Sequence, residues 1–166
     1  MDIIVAPHHE HHVDLRNRLF LGGGISGCPD WQAIMIDLIR KGLEAAGFDH
    51  KWIMFNPRRE HFDINDSSQS LFQIQWEDAK LRTSDIILFW FPEETMCPIT
   101  LLELGKYGCM NMAWNKTILV GCHPNYARKF DVEIQLALSD DSSIQVVDTL
   151  EKLAQQVVDA IVSGDY

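Results

Sequence analysis

The fold is decided by residues 83–108, which read TSDIILFWFPEETMCPITLLELGKYG. After a polar start, residues 86–91 form an apolar run without polar alternation, a pattern that predicts a strand buried on both faces of a parallel sheet. A turn with one proline and two glutamates follows, and a helix is predicted to begin near Pro98. Open parallel sheets bind ligands beyond the carboxyl ends of their strands, where such helices begin. This stretch therefore predicts a ligand site as well as a fold.

One carboxylate falls in this predicted helix among apolar neighbours. Glu103 would occupy the second turn, where a carboxylate costs free energy unless it is paired or used. The ordinary alternative is an exposed helical glutamate that pairs with Lys106, three residues further on. The position of Glu103 after a buried strand, at the edge where ligands bind, favours a functional role.

Three motifs in this stretch resemble the nucleoside 2-deoxyribosyltransferase family and its deoxynucleotide N-glycosidase relatives. They are DIIL at residues 85–88, PEE at 92–94 and LELG at 102–105. The resemblance continues through KTILV at 116–120, which is the next predicted strand. In that family a helical glutamate before Leu-Gly or Ile-Gly is the nucleophile, so the resemblance implies this role for Glu103.

The same resemblance implies roles for three further acidic residues. Glu77, counted back from Asp85, falls where the family has an aspartate near the nucleobase, and an ordinary acid on a helix surface is the alternative. The segment after residue 120 presents side chains to a neighbouring subunit's site in the family. The resemblance therefore implies a homo-oligomer and makes Asp131 and Glu133 substrate-binding candidates. The alternative is that they are ordinary acids in the first turn of a helix, which are common.

The sequence departs from the family pattern at two positions. Cys97 stands where the family has an aspartate several residues before the nucleophile, counted without gaps. Phe20 stands where a tyrosine of the family's first strand steadies the nucleophile. These differences concern the handling of the base and the transfer step, and they leave the nucleophile in place.

A glycine loop follows the first predicted central strand and precedes a predicted helix that begins near Pro29. Residues 22–27 spell G-x-G-x-x-G, the dinucleotide fingerprint, which normally needs an acid at the end of the next strand. Arginines follow that strand instead, which leaves open an NADP- or flavin-dependent oxidoreductase. The simpler interpretation is that Gly22, Gly23 and Gly24 allow the backbone to approach a bound nucleoside closely. A non-catalytic nucleotide-sensing module is a further alternative.

Three more candidates lie near the same edge of the predicted sheet. Asn56, Arg58 and Arg59 are the amide and cationic groups that follow the strand at 51–55. Asn56 and Arg58 are predicted to hold the loop or a phosphate, because a guanidinium fits phosphate. A surface turn with solvated arginines is the alternative. Because acidic side chains at the 5′ end of the sugar would repel a phosphate, we expect an unphosphorylated nucleoside, with Arg58 serving the loop. Trp76, on a helix predicted at about 69–81, is a core residue or a ring that borders the base pocket.

Composition limits the class of protein. The 166 residues fit one domain, residues 1–166, and the formal net charge of -10 argues against binding to nucleic acid polymers or anionic membranes. The four cysteines have no paired spacing, and neither a signal peptide nor a long apolar run is found, so we expect a reduced, cytoplasmic protein. Four histidines at positions 8, 9, 11 and 12 suit zinc or nickel, but without partner ligands at suitable spacing a solvated arm is favoured.

The alternation of predicted strands and helices indicates the architecture. We expect a single doubly wound, flavodoxin-like domain with a parallel sheet of five strands and helices on both faces, and residues 2–6 as a short edge strand. The resemblance implies cleavage or exchange of the N-glycosidic bond of 2′-deoxynucleosides or their 5′-monophosphates. Glu103 would form a glycosyl ester and Glu77 would orient or protonate the base. This chemistry requires no metal or redox cofactor, and its partner is a small nucleoside or nucleotide.

Overall fold

The computed structural model describes residues 1–9, 16–48, 52–63, 66–108, 116–139 and 144–166. Strands and helices alternate through these residues. The strands are β1 (Asp2–Val5), β2 (Asn17–Gly23), β3 (Trp52–Asn56), β4 (Ile86–Phe91), β5 (Thr117–Cys122) and β6 (Val146–Val147). The helices are α1 (Trp31–Ala45), α2 (Ser67–Thr83), α3 (Pro98–Gly108), α4 (Lys129–Ala137) and α5 (Leu150–Ser163).

The strands form one parallel sheet in the order β1-β3-β2-β4-β5-β6. Without β1, the remaining five strands have the flavodoxin-like order, so the predicted doubly wound fold is confirmed. The edge strand predicted at residues 2–6 is confirmed as β1, which pairs in parallel with β3 and brings the sheet to six strands where five were expected. The direction of winding reverses at β2, which lies between β3 and β4, and ligands bind at such a switch point.

Helices cover both faces of the sheet. Successive residues of a strand point to opposite faces, and β2 shows this: Leu19 and Leu21 pack with α1 and α5, whereas Phe20 packs with α2, α3 and α4. All six residues of β4 are buried, as predicted for a strand covered on both faces. The two apolar clusters therefore hold the carboxyl ends of β2, β3 and β4 in a fixed arrangement.

The helix boundaries follow from local capping. The side chain of Asp30 accepts a hydrogen bond from Ala33 N at 3.1 Å, so it caps α1, and the left-handed Gly47 (φ 74°) follows the last turn. Asp66 accepts hydrogen bonds from Ser68 N and Gln69 N and caps α2, which therefore begins earlier than the sequence predicted. The start of α3 at Pro98 agrees with the prediction.

Several predictions depend on features that the described residues cover only in part. Cys28, Cys97 and Cys122 are free thiols, and Cys109 lies outside the described residues. His11 and His12 also lie outside them, and the residues that are described contain no cluster of three or more histidine, cysteine or acidic side chains that suits a metal ion. None of the helices in the described part of the chain has the length and apolarity that a membrane span requires.

Candidate active site

A cleft of about 410 Å³ opens at the carboxyl ends of β2, β3 and β4, at the switch point of the sheet. One wall is the glycine loop, residues 22–26, and a second consists of the segment after β3 with the inner side of α2. The third wall is the turn before α3 together with the first two turns of that helix. The acidic side chains in these walls are Glu77 and Glu103.

Glu103 lies in the second turn of α3 and is partly buried in the cleft. Among the described residues, no hydrogen bond or salt bridge to its carboxylate is found. Lys106, which the sequence suggested as a partner, instead donates to Asp78, a residue that also binds Arg82 at 2.7 Å and Tyr107 Oη at 3.0 Å. Burial, and next the negative charge of Glu77, raise the pKa of Glu103 to about 8.

Glu77 lies on α2, and its orientation is fixed by Gln73. The Nε2 atom of Gln73 donates to Glu77 Oε1 at 2.8 Å and to the carbonyl oxygen of Pro57 at 2.9 Å. Burial raises the pKa of Glu77, and the hydrogen bond from Gln73 and the charge of Arg59 oppose this rise. Because Glu77 and Glu103 also repel each other when both are ionised, the pair retains a proton at neutral pH.

The glycine loop borders the cleft through its main chain and is packed closely against the protein on its other side. A Cβ atom on Gly23 would collide with the Trp31 ring and lie 2.5 Å from the carbonyl oxygen of Trp90. A Cβ atom on Gly24 would lie 2.9 Å from Cys97 Sγ. Glycine is therefore needed at both positions for packing within the chain, whatever ligand the loop contacts.

Arg58 and Asn56 lie behind the glycine loop and are not among the cleft-lining residues. Arg58 donates from Nε to Gln32 Oε1 at 2.8 Å and from a terminal nitrogen to the carbonyl oxygen of Pro29 at 3.0 Å. Asn56 accepts from the backbone N of Arg58 through Oδ1 at 2.9 Å. These contacts attach the end of β3 to the start of α1, so Arg58 supports the loop.

Arg59 is the arginine that lines the cleft, with Phe62 beside it. Its guanidinium lies 4.6 Å from the centre of the Phe62 ring and donates to Gln69 Oε1 at 3.0 Å. The sequence interpretation placed Arg59 at the ligand edge without choosing it for the site, and it did not single out Gln73 or Phe62. Side chains of adjacent residues in extended backbone point in opposite directions, so the pair of arginines could have indicated that one faces the loop and the other the ligand.

Three predicted substrate-binding residues lie away from the cleft of this chain. Trp76 is 3% exposed, donates from Nε1 to the carbonyl oxygen of His8 at 2.6 Å and packs in the core against Phe20 and Phe55. The structure thus places it in the core and not along the base pocket. Asp131 and Glu133 lie on α4, where they pair with Arg128 at 2.9 Å and Lys129 at 3.7 Å. Their contribution to a neighbouring subunit's site stays a prediction.

Both residues that depart from the family pattern, Phe20 and Cys97, line the cleft. Burial raises the pKa of the Cys97 thiol to about 11, so it is a neutral thiol at physiological pH and cannot replace a carboxylate. Tyr166 lies at the amino ends of β2 and β3, where its hydroxyl accepts from Asn17 Nδ2 at 2.7 Å and its ring packs edge-on against Trp52. In this structure the last residue is therefore remote from the cleft of its own chain.

The fold and the cleft define a class: a doubly wound α/β protein with two coupled carboxyl groups at its topological switch point. Residues 16–126 match the sequence model of a family described as nucleoside 2-deoxyribosyltransferase like. This match spans more than half of the chain, and the protein belongs to that family. No curated protein matches the sequence closely enough to count as a relative. The matched residues include the glycine loop, Glu77 and Glu103, whereas Asp131 and Glu133 lie beyond them.

Proposed function

We propose that the protein cleaves or exchanges the N-glycosidic bond of 2′-deoxynucleosides, or of their 5′-monophosphates, through a covalent intermediate on Glu103. The observation that carries this proposal is the placement of the Glu103 carboxylate in the cleft, without a protein partner in the described residues and beside a second carboxyl group, Glu77. Family membership supports the choice of a nucleoside as the substrate.

In the first step Glu103 attacks the anomeric carbon of the deoxyribose as the base departs. The transition state resembles an oxocarbenium ion, which the negative carboxylate stabilises before the ester bond forms. The departing base must take up a proton or be held by hydrogen bonds. Glu77, held in place by Gln73, supplies that group. Water or a second base then attacks the same carbon and releases Glu103.

The proton shared by the two carboxyl groups suits this division of roles. Reaction requires an ionised Glu103 and an acid near the base, so one proton on the pair is the productive state, with the proton on Glu77. Since burial and mutual repulsion keep one proton on the pair at neutral pH, the free protein already contains that proton. Transfer of the proton from Glu103 to Glu77, or directly to the base, activates the nucleophile.

The contacts of Arg58 bear on the oxidoreductase alternative, because Arg58 donates to Gln32 and Pro29 and is not free to hold the 2′-phosphate of NADP. Arg59, which also follows β3, lines the cleft, so this alternative is tested by experiment: bound NADPH in a titration, with activity indifferent to Glu103→Ala, would favour it. The glycines of the fingerprint have explanations within the chain: a Cβ atom would lie 2.8 Å from the Phe89 ring on Gly22 and 2.9 Å from Cys97 Sγ on Gly24, and Gly27 has a positive φ of 77°. A non-catalytic sensing function is distinguished by experiment, because a sensor would bind nucleosides without releasing base.

The test is incubation with each deoxynucleoside and each 5′-monophosphate, with and without an acceptor base, followed by chromatography. We expect base release or exchange with the wild type and a loss of at least ~100-fold with Glu103→Gln, the scale for a positioned catalytic group. Glu44→Gln, at an exposed position on α1, is the matched control and should retain activity. Intact-mass measurement should detect the deoxyribosyl adduct on the wild type. Near-wild-type turnover by a folded Glu103→Gln protein would exclude the covalent mechanism.

A further inference from the structure

Of the described residues that line the cleft, Arg59 is the only one with a cationic side chain. It is the third residue after the end of β3 and lies on the wall that includes Gln73 and Glu77. The charge of Arg59 lowers the pKa of Glu77, which places the two groups within electrostatic reach of each other. Arg59 therefore belongs to the part of the cleft where Glu77 would meet the base.

The contacts of Arg59 hold its guanidinium in place and leave part of its donor capacity unused. One terminal nitrogen donates to Gln69 Oε1, and the planar group lies against the ring of Phe62. Its Nε atom is buried without a hydrogen-bond partner among the described residues, so the remaining N–H groups of the terminal nitrogens are the donors left to a ligand. A guanidinium carries five N–H donors and no acceptor, so a ligand that binds beside it must supply acceptors.

The amide and acid groups of this wall do not select between bases. Gln73 directs its amide nitrogen to Pro57 and Glu77, and its Oε1 atom is buried, without a hydrogen-bond partner among the described residues, so neither end of the amide is presented to a ligand. Glu77 can donate when protonated and accept when ionised, so it tolerates either kind of base edge. Arg59 remains as the group whose hydrogen-bonding character is fixed, because its guanidinium stays protonated at all accessible pH values.

We propose that Arg59 selects keto bases, namely 6-oxopurines and 4-oxopyrimidines, over amino bases; this inference rests on the proposed function. A ring carbonyl oxygen accepts from the guanidinium, as guanine does from arginine in the major groove of DNA. The exocyclic amine of adenine or cytosine would instead point its N–H groups at the N–H groups of Arg59, and the guanidinium would lose that hydrogen bond. Selection therefore comes from the mismatch with amino bases as well as from the match with keto bases.

A phosphate is the other ligand that suits an arginine, and the surroundings of Arg59 argue against it. The cleft holds two carboxyl groups, Glu77 and Glu103, and no second cation among its described lining residues. The pair keeps one negative charge at neutral pH, and this charge would repel a phosphate dianion placed there far more than a neutral carbonyl oxygen.

The experiment compares two matched pairs of substrates: deoxyinosine with deoxyadenosine, and deoxyuridine with deoxycytidine. For the wild type we expect the keto member of each pair to have the higher kcat/KM, by about 10- to 100-fold, the scale of one good base contact. Arg59→Met keeps a long unbranched stem without donors and should bring both ratios towards one. Arg40→Met removes the same charge from an exposed position on α1 and should leave both ratios unchanged.

Three outcomes would overturn the proposal. The first is a wild-type preference for amino bases, and the second is a keto preference that Arg59→Met leaves intact or that Arg40→Met also removes. The third is a loss confined to 5′-monophosphates in Arg59→Met, which would make Arg59 a phosphate anchor. Thermal unfolding of each variant confirms that the comparison uses folded protein.

Failure of the proposed function would be recognised separately, as an absence of base release from every substrate with the wild type. Calorimetric binding of free hypoxanthine and free adenine would then test Arg59 alone. Tighter binding of hypoxanthine that disappears in Arg59→Met supports the inference. Equal affinity of the wild type for the two bases, or a difference that Arg59→Met retains, contradicts it.

Discussion

Replacement of Glu103 by glutamine should stabilise the folded protein, and the gain should grow with pH. Burial and the charge of Glu77 raise the pKa of Glu103 from its usual 4.5 to about 8, so the folded chain keeps a proton that the unfolded chain releases. A group with a raised folded-state pKa contributes stability at low pH that is lost as the pH rises, here between about 4.5 and about 8. Glutamine has the shape of the protonated acid and does not titrate.

The size of the effect follows from the width of this window. Each pH unit within it changes the free energy of unfolding by about 1.36 kcal/mol for one retained proton. Between pH 6 and pH 8 the stability advantage of Glu103→Gln over the wild type should therefore grow by up to about 2.7 kcal/mol. The open cleft admits water to the carboxyl group, which reduces the expected growth towards roughly 1 kcal/mol.

Urea unfolding of both proteins at pH 6, 7, 8 and 9 measures this difference. The series begins above the sequence pI of about 5.0, where low net charge would favour precipitation. Glu44→Gln, on the exposed side of α1, controls for the loss of one formal charge. A stability difference between Glu103→Gln and the wild type that stays constant across the series, or has the opposite sign at pH 8, would refute the argument.

Three further predictions concern positioning, loop support and assembly. Gln73→Met should lower the rate of base release from ordinary deoxynucleosides by about 10- to 100-fold, because Glu77 would be misplaced. With N7-methyl-2′-deoxyguanosine, whose base leaves without a proton, the rate should fall less. Equal losses of rate with both kinds of substrate would contradict a positioning role for Gln73. Arg58→Met should lower the free energy of unfolding by about 2 kcal/mol and should raise KM for nucleosides and monophosphates alike. A rise in KM confined to monophosphates would show instead that Arg58 binds the phosphate. Light scattering should show a homo-oligomer, and a fully active monomer would contradict it.

The fold could be predicted because its signals are local. The apolar run of β4 has no polar alternation, and helical patterns with caps or glycines separate it from the neighbouring strands. Parallel strands with intervening helices leave few possible topologies. The sixth strand, β1, adds only four residues at an edge, and its pairing with β3 depends on contacts that a short apolar segment does not specify by itself.

The sequence could predict a residue of the candidate site only where that residue is unusual for its local pattern. Glu103 was identifiable because a carboxylate among apolar helical neighbours has few structural explanations. Arg59 and Gln73 were not, because polar residues after a strand or on an amphipathic helix are ordinary. Their roles depend on which way the chain turns after β3 and on how α2 packs against that segment, and both are tertiary features. For Trp76 the sequence favoured the core over a place bordering the base pocket, and its burial against Phe55 agrees with the core position.

The attachment of the glycine loop to α1 has a consequence for the thermodynamics of binding. Gly24 O accepts from Trp31 Nε1 at 2.8 Å, and Arg58 joins the start of α1 to the end of β3. Most of the conformational entropy of the loop is therefore lost when the chain folds, and little remains to be lost when a nucleoside enters. Ligand recognition at this wall is preorganised, so substitutions on the buried side of α1, remote from any contact with substrate, should weaken affinity by restoring motion to the loop.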